Sequence, residues 1–332
     1  MTSPTAAPER IPAFTAATVR DRRASLGYLP GLDGIRGVAL IGVLLFHAGH
    51  LGGGFLSVDL FFVLSGFLIT SLLLVEWDRT GTIDLTRFWS RRLRRLLPAA
   101  LVVLAATALY AAIALDPAEL HRFRLDALAA LGNVANWRAI EAGSDYWADF
   151  GAPSPLRHMW TLSVEEQLYL LWPATTLGGL WLGRRRRWGR QTLLLLTLGL
   201  AGASALAMAL LVDAGDTSRS YYGTDTRASA VLLGAVAAIG LSGRSWAAGD
   251  GVVRGLRTLT PLAMVVLAVA WVRADGQEVD LYRYGFVLCS AAATVLVAAV
   301  ATRSVPWLVR ALEVWPLREL GRISYGAYLW HW

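Results

Sequence analysis

Apolar runs long enough to cross a lipid bilayer recur along this chain, separated by short charged segments. They fall at about 34–51, 57–75, 97–115, 160–182, 191–213, 228–242, 258–273 and 284–301, with a last one from about 322. In hydrocarbon every backbone polar group must be satisfied within the segment, so runs of this length indicate helices. The predicted fold is therefore all-α, a polytopic transmembrane helical bundle of about nine spans. Only 17% of the 332 residues are charged and 55% are hydrophobic, whereas a soluble domain carries about 25% charge. The last run reaches Trp332 after about eleven residues, too few to cross. The expected organisation is a poorly ordered cytoplasmic tail at 1–30 and a transmembrane domain at 31–332, incomplete at its C-terminus.

All 31 basic residues are arginine. By this span assignment 23 of the 31 arginines lie on one side of the bilayer, including Arg79, Arg87, Arg91, Arg92, Arg94 and Arg95. The positive-inside rule then predicts a cytoplasmic N-terminus. Acids such as Asp116, Glu119, Asp145, Asp213 and Asp275 populate the opposite loops. A nucleic-acid binder also has a basic balance, but here the arginines lie between spans and not along one exposed face, so no nucleic-acid partner is expected. The single Cys289 allows no internal disulfide and no cysteine-based metal site. No metal is expected. The loop 116–157 is long and rich in aromatic and polar residues, so it is predicted to fold over the outer mouth.

Ionisable groups inside spans are costly and point to function. Arg36 and His47 lie eleven residues apart in LDGIRGVALIGVLLFHAGH. Eleven steps of a helix return to within ~20° of one face and rise ~16 Å. That places the histidine about halfway across the hydrocarbon core, with a near-neutral pKa suited to a general base. In RFWSRRLRRLLP, Arg92 and Arg95 share a face at i and i+3. Two guanidiniums at a membrane surface can clamp phosphate, although topology alone also accounts for arginines there. In RHMWTLSVEEQLYLLWP, His158 and Glu165 lie seven apart on one face. Glu165 could hold a histidine tautomer and stabilise its charged form; lining a wet cavity is the plainer alternative. Gly52–Gly54 permit a tight turn that brings Asp59 toward the outer half of span one. Asp225 and Arg227, in YYGTDTR, pair with each other or contact a polar acceptor.

These phrases, with FFVLSGFLIT, GTDTRASAVLLGA and RISYGAYLWHW, run in order over nearly the whole chain. Together they make it resemble the acyltransferase 3 family of integral membrane acyltransferases. The resemblance implies about ten spans, so this sequence would lack the end of span nine and all of span ten. It implies transfer of an acyl group, commonly acetyl from acetyl-CoA, to hydroxyls of envelope polysaccharide, glycan or glycolipid. Such a protein would sit in the bacterial plasma (inner) membrane, with the lipid bilayer, acyl-CoA and a carbohydrate or glycolipid acceptor as partners. Acyl-CoA would be a cosubstrate, with no permanently bound cofactor. The family's arginine-then-histidine motif matches Arg36 and His47, its paired arginines Arg92 and Arg95, and its span-four histidine and glutamate His158 and Glu165. The second acid of that phrase varies in the family, which favours Glu165 over Glu166.

The expected site follows. Arg36, Arg92 and Arg95 hold the CoA phosphates, and the pantetheine arm extends toward His47. His47 acts as general base, with Glu165 or Asp59 orienting it. His158, Asp225 and Arg227 belong to an outer, acceptor-side site. An acyl-histidine is the variant mechanism, a secondary metabolite such as a macrolide the variant acceptor. The rival class is a transporter or flippase, against which stands the absence of inverted repeats.

Overall fold

The computed structural model describes residues 27–147, 154–184, 188–242 and 249–332. Most of the expected N-terminal tail, three arginines of the 184–187 run, Asp149 and Pro153 lie outside them. The described residues form thirteen helices and no strand. In chain order these are α1 Pro30–His47, α2 Ser57–Thr80, α3 Leu85–Ala114, α4 Pro117–Leu131, α5 Ala135–Glu141, α6 Met159–Leu182 and α7 Gly189–Leu211. There follow α8 Ser218–Tyr222, α9 Thr224–Leu241, α10 Asp250–Arg273, α11 Phe286–Ala301, α12 Pro306–Leu312 and α13 Trp315–Trp330. Among the described residues, seven helical segments are long and apolar enough to cross a membrane: α1, α2, α3, α7, α9, α10 and α11. Exposed leucine and valine side chains on α3, α7 and α10, among them Leu101, Leu109, Leu206, Leu210, Val265 and Val269, form the outer faces. Apolar surface of this extent is what lipid covers.

Three boundaries differ from the sequence expectation. α1 ends at His47 and the chain turns through Gly49, at φ 74°. His47 thus closes the helix instead of sitting within a longer one. α3 starts at Leu85, so Arg92 and Arg95 stand on the helix itself and not ahead of it. Asp84 caps that start by accepting from the Arg87 backbone N–H at 2.9 Å. α13 starts at Trp315, about two turns earlier than expected, because Pro316 suits a helix's first turn. The 116–157 segment is built around α4 and α5, and Asp116 and Glu119 form a capping box at its entry.

Small residues set the closest approaches, as in other membrane bundles. On α2 and α9, a Cβ added to Gly66 would lie 1.8 Å from the Val231 carbonyl oxygen, and one on Gly234 would lie 2.0 Å from that of Val63. Both obstacles are backbone, so neither can swing aside. Gly66→Ala is expected to force α2 and α9 apart and cost about 1–3 kcal/mol or more. Thermal unfolding in detergent checks this; an unchanged midpoint would contradict the tight packing. α1 and α13 approach in the same way, with Gly321 against the Asp33 carbonyl and Gly37 against that of Leu317. The C-terminal ends of the two helices also meet, at His47 and His331.

Candidate active site

Two adjoining cavities lie between α1, α2, α3, α6 and α13. The larger, of about 550 Å³, is lined by Arg36, Arg92, Arg95, Glu165, Glu166 and Tyr169, among others. The smaller, of about 10 Å³, lies against His47, His158, Tyr146 and Trp160; that is room for about one water. Val58, Thr161 and Tyr328 line both. The Thr161 and Tyr328 hydroxyls share a hydrogen bond of 2.7 Å at this boundary, and Tyr328 also donates to the His158 carbonyl at 3.2 Å.

The three arginines expected to act together do converge on the larger cavity. Arg36 is held by Asp33, one turn earlier on α1, at 3.0 Å. The Arg92 guanidinium lies over the Tyr169 ring, 3.8 Å from its centroid. Neither Arg92 nor Arg95 makes an ion pair with a carboxylate among the described residues. Two cations without a salt-bridge partner, Arg92 half-buried and Arg95 exposed, face a cavity and offer donors to an anion. α13 closes the wall: Tyr325 donates to the Leu96 carbonyl on α3 at 2.9 Å.

Glu165 and Asp59 are not where a partner for His47 would stand. Glu165 lines the arginine cavity beside Tyr169 and Ser65, whose hydroxyls bond to each other. It faces the arginines, because its position on α6 lies one turn beyond Thr161, past the boundary between the cavities. Asp59 is 2% exposed and accepts from Arg227 Nη2 at 2.9 Å and from Ser290 Oγ at 3.3 Å. Arg227 is 1% exposed and surrounded by Phe286, Tyr221, Phe62 and Trp160. This side chain is sealed in the core, so it offers no surface to an acceptor. Asp225 does not pair with it; two steps away on α9 it points to the other side and binds Arg219 at 2.8 Å. His158 is buried, with its ring stacked on Trp332 at 6.1 Å between centroids.

The neighbour His47 does have is His331, which sequence reasoning passed over. His47 Nδ1 lies 3.2 Å from His331 Nε2. Trp332 packs its ring edge-on to His47 and ties down by donating to the Ser154 carbonyl at 3.1 Å. An ionisable residue closing an apolar helix was the available signal. Above the histidines, Tyr146, Trp147, Trp160, Tyr221 and Tyr222 form one aromatic cluster. It is built from the segment after α5 together with α6 and α8.

The family model described as "Acyltransferase domain" matches residues 29–332. The chain belongs to this acyltransferase family. Family members of similar sequence include YrhL of Bacillus subtilis, 38% identical over 311 residues, which cover 92% of this chain and 48% of that protein. The peptidoglycan O-acetyltransferase OatA of Listeria monocytogenes is 37% identical over 323 residues, covering 94% of this chain and 50% of OatA. The O-acetyltransferase OatA of Staphylococcus aureus is 37% identical over 316 residues, 92% of this chain and 50% of its own length. The chain thus spans about half the length of the relatives it matches. No solved structure matches it. With seven apolar helices among the described residues of a member of this family, the protein is a multi-pass membrane protein.

Proposed function

We propose that the protein is a membrane O-acyltransferase that moves an acetyl group from acetyl-CoA to a hydroxyl of a cell-wall glycan, peptidoglycan by analogy with the named relatives. The observation that carries this reading is the pair of adjoining cavities, one lined by Arg36, Arg92 and Arg95 and one by His47. Arg36 and His47 are separated by ~16 Å of helix, about the length of an extended pantetheine arm. The CoA phosphates bind at Arg92, Arg95 and Arg36, and the arm passes Glu165 toward the Thr161–Tyr328 boundary. His47 removes the acceptor's hydroxyl proton as the oxygen attacks the thioester carbonyl. The C–S bond breaks, and the departing CoA sulfur takes that proton back. The arginine-rich side is cytoplasmic in this reading, in a bacterial plasma membrane, so an internal donor serves an external acceptor.

The test uses membrane vesicles, radiolabelled acetyl-CoA and peptidoglycan fragments. Label should reach the glycan only with acetyl-CoA and protein present. Passage of unmodified fragments without label transfer would instead indicate a transporter. Arg92→Ala with Arg95→Ala should raise the KM for acetyl-CoA by about 10-fold or more, since each charge-assisted contact contributes about 1.5–3 kcal/mol. The kcat should change little. An unchanged KM would leave these arginines with topology alone.

A further inference from the structure

We propose that His331 is a positioning residue for His47: it fixes the His47 tautomer and faces the positive charge that His47 acquires. This rests on the general-base reading of His47. Carbonyl oxygens only accept hydrogen bonds, so each one identifies the ring nitrogen that donates to it. His331 Nδ1 lies 2.6 Å from the Tyr328 carbonyl oxygen, so it carries the hydrogen and donates it. In the neutral ring His331 Nε2 is then a bare lone pair. His47 Nδ1 lies 3.0 Å from the Val43 carbonyl oxygen, so it too carries a hydrogen. The His331 lone pair, 3.2 Å away, is a second acceptor for that same N–H.

The chain of donation therefore runs from His47 Nδ1–H to His331 Nε2, and from His331 Nδ1–H to Tyr328. It leaves only Nε2 of His47 as a free base. When that nitrogen takes the acceptor's proton, the Nδ1–H becomes a cationic donor and its bond to His331 strengthens. The usual partner of a catalytic histidine is a carboxylate. No carboxylate hydrogen-bonds to His47 among the described residues, and a neutral imidazole takes the place. Two packing features hold His331 there. The close approach of α1 and α13 at Gly37 and Gly321 holds the two helices together, and Trp332 anchors the end of the chain to Ser154.

Purified enzyme carrying His331→Leu or His331→Gln tests the idea against wild type and His47→Ala. Leucine keeps bulk but cannot accept; glutamine sets an amide oxygen near the site of Nε2. The expected result is a fall of about 10²-fold in kcat for His331→Leu, with the KM for acetyl-CoA within about twofold of wild type. His331→Gln should recover most of the loss, to within about fivefold. A glutamine variant no better than leucine would overturn the proposal, whether the deficit lies in turnover or in folding. So would wild-type turnover in both. An active His47→Ala enzyme would remove the general base itself, whereas an inactive one beside insensitive His331 variants would remove only the role of His331.

Discussion

His47→Ala is expected to lower acyl transfer by about 10²–10⁴-fold, the range of a positioned general base. Retention of normal transfer would end the proposed role. The variant is well placed to isolate chemistry from folding. His47 closes α1, keeps much of its surface open, and makes ring contacts with Phe46, His331 and Trp332 instead of filling the core. Truncating it should shift the unfolding midpoint little, because exposed positions away from core features cost about 0.5 kcal/mol or less. Binding of acetyl-CoA should also persist, since the arginines line the other cavity. The expected signature is thus a lost kcat with a retained donor affinity, read by isothermal titration alongside turnover. Donor affinity lost together with turnover would place His47 in donor binding instead.

The second large effect concerns stability. Asp59→Ala or Arg227→Leu is expected to destabilise the bundle by about 3–5 kcal/mol, because each leaves an unpaired buried charge. Side-chain exposures of 0% for Arg227 and 3% for Asp59 leave no solvent to compensate. In Asp59→Ala the guanidinium loses its carboxylate while still packed 4.3 Å from the Phe286 centroid. The double variant Asp59→Asn with Arg227→Gln sets a neutral hydrogen-bonding pair in the same place and should recover much of the loss. Thermal unfolding of the two single variants and the double variant checks this. A stable Asp59→Ala protein with abolished turnover would instead return Asp59 to the reaction, as its position after the glycine turn first suggested.

Part of the candidate site's geometry was legible in the sequence, and the residues show why. Arg92 and Arg95 share a face because helical spacing is local, and it holds wherever the helix begins. The structure moved the start of α3 back to Leu85 without disturbing that pairing. The same arithmetic related Arg36 to His47, and both side chains do line the adjoining cavities. Helical phase says nothing of what lies opposite. Glu165 has the right phase relative to His158, yet it faces Arg92 and Tyr169, whereas His158 meets Trp332. Asp225 and Arg227 are too close in sequence to share a helix face, and each found a partner elsewhere.

The sequence by itself determined the class of fold, the apolar helices and the side chains that carry charge into them. These follow from hydrophobicity and backbone hydrogen bonding, which are written residue by residue. Only the tertiary structure decided which charges meet. Arg227 reached Asp59 across 168 positions and His331 reached His47 across 284. Such pairings depend on how closely whole helices approach, which here is set by backbone meeting backbone at glycines such as Gly66, Gly234 and Gly321. That is a property of surfaces fitted together, and no single helix contains it.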